Sequence, residues 1–162
     1  MACVLGCSLA ACGDEKKEAP ANQPHDAAAH EPHEDDDVEP CPEDIPRFEP
    51  GMTVEGESKR LRARLVRASP VAPRKYENNW VLELLDASDQ PIEIDDVEPE
   101  EPWMDAHGHG GGYEPDVTLL QEPGQVELDR INLFMPGPWR LNVNVKSKAG
   151  ESDEIILHVC VP

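Results

Sequence analysis

The sequence predicts an all-β domain, an antiparallel sandwich of two sheets with about six to eight short strands, preceded by a disordered acidic linker. Three observations predict it. From Glu57 onward, short runs with apolar residues at every second place lie between turn signals. The chain holds 17 Pro and 11 Gly, and no stretch shows a sustained helical period. Acidic residues and prolines crowd toward the front, leaving the region from Cys41 to Pro162 to supply the core.

The elements follow in order. In Arg60-Leu61-Arg62-Ala63-Arg64-Leu65 the apolar residues alternate with arginines, which predicts a half-buried strand with a cationic outer face. Trp80 to Leu85 is the next, with Trp80, Leu82 and Leu84 on one side, and Asp86 to Pro91 makes its turn. Ile92 and Ile94 alternate after it. Val117 to Leu120 and Val126 to Phe134 are split by the turn Glu122-Pro123-Gly124-Gln125. Trp139, Leu141, Val143 and Val145 give the cleanest period of two. Lys146 to Asp153 is a polar turn, and Ile155, Leu157 and Val159 form the last strand, with His158 pointing outward.

The front of the chain reads as an address. Ala2 to Ala11 is an apolar run that ends in small residues, as a secretory signal does. Leu9-Ala10-Ala11-Cys12 resembles the lipobox of bacterial lipoproteins, which implies a signal peptide at 1–11 and a lipid on Cys12. No basic region precedes the run, a gap that a start codon assigned too late would explain. Gly13 rather than Asp follows Cys12, which points to the outer membrane. Residues 12–40 read as a Pro-rich acidic tether: Val38 is the one aliphatic residue there larger than Ala, too little apolar surface to offset the entropy of ordering. His25, His30 and His33 lie in the tether; a solvated spacer accounts for them better than metal scavenging.

Charge and cysteine content narrow the function classes. With 14 basic and 34 acidic residues the formal net charge is −20, which excludes the basic patch a nucleic-acid partner needs. Of 5 Cys, Cys3 and Cys7 leave with the signal and Cys12 takes lipid, so the exported domain keeps Cys41 and Cys160. Two cysteines in an exported domain usually form a disulfide. The alternatives are two separate thiols or a thiolate metal ligand.

One segment can carry chemistry: Trp103-Met104-Asp105-Ala106-His107-Gly108-His109-Gly110-Gly111-Gly112. In an extended chain His107 and His109 project to the same side, so both imidazoles can meet one ion. Met104 precedes them, and Met135 follows in Asn132-Leu133-Phe134-Met135-Pro136-Gly137. Imidazole with thioether is a soft donor set that selects copper, Cu(I) above all. Zinc would instead recruit Asp105 or Glu114. The glycines either let the backbone fold closely around a ligand or make a flexible loop. The two methionines fill gaps in the core equally well.

The pattern Trp103-Met104-x-x-His107-Gly108-His109-Gly110, followed about 25 residues later by Leu133-Phe134-Met135-Pro136-Gly137-x-Trp139 and an alternating strand, resembles the YtkA-like domain, a family related to FixH. The resemblance runs from about Gly51 to Val161. It implies an immunoglobulin-like sandwich of about seven strands at 41–162, on the periplasmic face of the envelope, with a part in copper handling. His107, His109, Met104 and Met135 match the family's motif positions. Asp105 stands where the family commonly has Pro, which adds a hard oxygen near the site. The absence of a membrane helix besides the signal sets the sequence apart from FixH.

Other chemistry finds no motif. Asp35-Asp36-Asp37 and Asp95-Asp96 lack the Gly and distal Glu of a calcium loop, and no phosphate loop, Cys-x-x-Cys or Gly-x-Ser-x-Gly occurs. No catalytic residue is expected. Two hypotheses stand: a lipid-anchored copper carrier or buffer that exchanges the ion with a donor or acceptor protein, and a metal-free interaction module presenting Trp103 and the Gly-rich loop. Methionine placement separates them. Thioethers beside the imidazoles favour copper; thioethers lost in the core favour the module.

Overall fold

Residues 41–43 and 45–162 are described by the structure, a computed structural model; the expected signal at 1–11, the lipidation site Cys12 and the tether at 12–40 lie outside the described residues. Ten strands and no helix form the described residues. They are β1 (Thr53–Glu55), β2 (Leu61–Ser69), β3 (Tyr76–Asp86), β4 (Ile94–Pro99), β5 (Trp103–Met104), β6 (His109–Gly110), β7 (Asp116–Leu119), β8 (Gln125–Leu133), β9 (Gly137–Ser147) and β10 (Ser152–Val161).

The strands form two antiparallel sheets, ordered β1-β2-β3-β8-β7 and β10-β9-β5-β6, with β4 also pairing to β9. The expected immunoglobulin-like connectivity is present: β2, β3, β8 and β7 lie side by side as strands A, B, E and D, and β4, β9 and β10 as C, F and G. The C position is interrupted. Pro99 pairs with Val143 and Trp103 with Arg140, so β4 and β5 run along the same edge of β9 with a break between them. The β5–β6 hairpin is therefore an addition to the C edge.

Alternation buries one face of each sheet against the other. Leu61, Ala63, Leu65, Trp80, Leu82, Leu84, Val126 and Leu128 come from one sheet, and Trp139, Leu141, Val143, Ile155, Leu157 and Val159 from the other; all are buried and make one cluster. Phe48, ahead of β1, packs against Trp80 with ring centroids 4.4 Å apart and planes tilted by 44°. The arginines of β2 do face outward, and each meets a carboxylate: Arg62 meets Glu55 and Asp89, Arg64 meets Glu83, and Arg67 meets Glu127. Exposed pairs of this kind contribute little by charge. Their aliphatic stems matter more. Register places Val81 between Arg67 and Glu127, and Leu85 beside Arg62, and both apolar residues are buried although they point away from the core.

Three bulges, at Leu65/Arg67, Asn78/Trp80 and Ile94/Asp96, shift the phase of the pattern. This is why the alternation in the sequence stops at Leu65 while β2 continues to Ser69: a bulge inserts one residue and moves later side chains to the opposite face. Likewise Ile92 is buried but precedes β4. Beside the second bulge, buried Asn78 accepts from the Arg74 amide and donates to the carbonyls of Arg74 and Tyr76. These bonds hold Tyr76 at φ 72°, where a bulky side chain is uncommon.

The disulfide joins Cys41 to Cys160, with Cα atoms 5.7 Å apart. Cys160 pairs with Pro138 in the register of β10 and β9. The bond therefore ties the start of the described chain to the end of β10 where β9 begins.

Candidate metal centre

The His-Gly-His segment folds as a hairpin rather than an extended strand. Trp103 pairs with Gly110 and Met104 with His109, and residues 105–108 form the turn. The amides of His107 and Gly108 both donate to the Met104 carbonyl, at 3.2 and 2.9 Å. Gly108 takes φ +64°, a left-handed conformation that lets the chain reverse so tightly. The extended geometry expected of the triplet is thus replaced: His107 sits in the turn and is exposed, while His109 begins β6 and is half-buried. Their ring centroids are nevertheless only 5.7 Å apart.

Residues directly opposite each other in an antiparallel pair carry their side chains on one face, with Cβ atoms about 5 Å apart. Met104 and His109 are such a pair, and their face is the inner one. Met104 is fully buried and belongs to the core cluster. It fills the core, the placement that favours the metal-free module, although its partner across the hairpin is His109.

Aromatic rings surround His109. Its ring stacks on Phe134, with centroids 5.2 Å apart and planes 24° from parallel, and lies 6.2 Å from Trp139. Trp139 meets Phe134 edge-on at 5.6 Å and donates its indole N–H to the Met135 carbonyl at 3.0 Å. Met135 is half-buried and packs against the core. In this setting His109 Nδ1 is buried without a hydrogen-bond partner. Leaving a buried polar atom unsatisfied costs about 1–3 kcal/mol, so the exception calls for an explanation. Trp80 Nε1 is also buried without a partner, but it lies in the centre of the core beside Phe48.

The chain leaving β6 is fastened to the segment before β5 and to β8. Asn132 donates to the Gly111 carbonyl at 2.6 Å, the Gly111 amide donates to the Pro102 carbonyl at 2.8 Å, and the Gly112 amide donates to the Glu101 carboxylate. Gly111 serves close packing here, whereas Gly108 and Gly112 take positive φ with open space around them. A Cβ on Gly111 would fall 2.4 Å from the Asn132 carbonyl oxygen, a backbone atom that cannot swing away. Gly111→Ala is expected to cost about 1–3 kcal/mol through overpacking, measured by urea unfolding. An unchanged midpoint would show that the hairpin is not held as described.

Hard donors do not gather. Asp105 faces the outer side, its carboxylate oxygens 3.0 and 3.1 Å from Arg140 Nε, and Glu114 is exposed. Among the described residues no three His, Cys, Asp or Glu side chains assemble as a metal-binding group. His158 is exposed, as its phase indicated, opposite Arg140. Among the described residues no helix is long and apolar enough to cross a membrane.

The sequence places Phe134 at the end of one strand and Trp139 at the head of another, as well as in the motif; the structure makes them the walls around His109. The available signal was composition. Phe and Trp together number 5, and two of them flank Met135 within six residues.

The family model described as YtkA-like matches residues 55–144, more than half of the chain and inclusive of Met104, His107, His109 and Met135. No curated protein matches the chain, and no solved structure does.

Proposed function

The chain belongs to the YtkA-like family, and from that premise we propose that its sandwich binds copper as a carrier or buffer, through His109 and Met104 with His107 and Met135 nearby. The observation that carries the reading is the buried, unpartnered Nδ1 of His109, a residue that pairs across the hairpin with buried Met104. In the tautomer that carries its proton on Nε2, Nδ1 offers an in-plane lone pair to a metal ion. A thioether beside it and aromatic walls around it supply soft, weakly hydrated surroundings, which suit Cu(I) better than zinc or a hard cation. Copper is cargo in this reading, and no catalysis is assigned. A lipid on Cys12 would hold the domain on the periplasmic face of the envelope, where a copper-donating or copper-accepting protein is the fitting partner.

Competition against chromophoric Cu(I) and Cu(II) chelators tests the proposal. The full chain carries His25→Ala, His30→Ala and His33→Ala, which removes the imidazoles of the tether. One tight equivalent of Cu(I), weakened by Met104→Leu, is expected; that swap nearly conserves volume and costs less than about 1.5 kcal/mol of packing. Binding no tighter than that of a flexible His-Gly-His peptide would end the copper reading and leave the metal-free interaction module.

A further inference from the structure

The two imidazoles of the hairpin are neighbours but not equivalents, and we infer that they divide the handling of copper: His109 holds the ion, and His107 passes it to and from the outside. The inference rests on the copper reading above.

The donors form a gradient of exposure. Met104 is fully buried, His109 is half-buried with its Nδ1 sealed from solvent, and His107 is exposed. His109 sits on a short strand fastened by Asn132 and Pro102, with its ring stacked on Phe134. A donor fixed this way gives up little freedom on binding, so most of its bond strength appears as affinity and slow release. His107 lies in the turn. Ordering its side chain on the ion costs conformational entropy, which offsets much of the bond it makes.

An exposed donor 5.7 Å from a buried one has a different use. A soft ion moves between sites by gaining an incoming donor before losing an outgoing one. The buried side of His109 leaves an acceptor no approach through the core, whereas the turn is open. Transfer then runs through three exchanges. The His107 imidazole bonds to Cu(I) as the Met104 thioether releases it, a first acceptor donor bonds as His109 releases it, and a second acceptor donor bonds as His107 releases it. Each exchange is one bond for one bond, with no change of oxidation state and no proton moved.

Both equilibrium and rate are needed to test this. The parent is the full chain with the three tether substitutions, loaded with one equivalent of Cu(I). His109→Ala is expected to weaken Cu(I) binding more than about 100-fold, beyond the loss typical of an outer-shell partner. His107→Ala, at an exposed position, is expected to change affinity less than about 3-fold because the ordering entropy cancels its bond. The same variant is expected to slow transfer to excess chelator, followed by stopped-flow absorbance, by about tenfold, or about 1.4 kcal/mol in the barrier. Equal affinity losses in the two variants, or a transfer rate unaffected by His107→Ala, would overturn the division of roles while leaving the copper site in place. Failure of the parent to bind tightly would overturn the copper reading itself.

Discussion

Breaking the Cys41–Cys160 disulfide, by reductant or by Cys41→Ser, is expected to lower the domain's stability by about 5 kcal/mol in the chain-entropy account of cross-links. The size follows from the sequence separation of 119 residues, which makes this cross-link constrain nearly all of the unfolded domain. For a domain of this length, that loss corresponds to a fall in Tm of about 15–20 °C. The folded state contributes as well. Without the bond, the leading segment keeps its place through Phe48 on Trp80 and Met52 against the core, contacts that loop entropy alone does not count. Thermal melts followed by circular dichroism, with and without a reductant, give the total. A Phe48→Ala variant in the oxidised protein isolates the packing part. A Tm unmoved by reduction would mean that the strands alone hold the domain.

Replacing Asp153 carries the second largest effect. Asp153, in β10, is buried, and its carboxylate accepts from the amides of Ser58, Arg60 and Leu61, at 2.8, 2.8 and 3.0 Å, and from Glu154 at 3.0 Å. Two of these donors, Ser58 and Arg60, belong to the turn between β1 and β2, and the third, Leu61, begins β2, all in the opposite sheet. One side chain therefore clasps a turn of one sheet to a strand of the other. Asp153→Ala leaves those amides without an acceptor and is expected to cost about 2–4 kcal/mol, read from urea unfolding at neutral pH.

The effect depends on pH in a stated direction. Burial by itself would push the Asp153 carboxyl up, but the amides of Ser58, Leu61 and Arg60 and the Ser58 side chain outweigh it and hold the group below its ordinary value of about 4. A carboxyl depressed in the folded state stabilises fully above its unfolded value, and the contribution disappears as pH falls through the folded one. The gap in stability between the native chain and Asp153→Asn, which cannot ionise, should therefore be constant near neutrality and shrink below about pH 4. A gap that does not change with acid would mean that shape, not charge, makes the clasp.

Soft donors, aromatic residues and a His-Gly-His triplet were all legible in the sequence, but the exposure gradient among them was not. Residues i and i+2 share a side only while the chain stays extended. Gly108 and the two amide bonds to the Met104 carbonyl turn the chain there, and they separate an exposed imidazole from a packed one. Nor does sequence spacing bring Phe134 to His109. That contact needs the end of β8 and the hairpin on the C edge to meet across the two sheets.

The sequence by itself determined which residues face inward along most strands, because side-chain alternation is a local property of an extended backbone. Runs such as Trp139 to Val145 and Ile155 to Val159 therefore named the core before any strand had a partner. It also supplied the pair of cysteines and the motif that marks the family. Only the tertiary structure decided which strands lie side by side, where bulges reverse the phase at Leu65/Arg67 and Asn78/Trp80, and which imidazole is sealed against Phe134. These features depend on contacts between segments far apart in the chain, and a period of two residues specifies a face of a strand but never its neighbour.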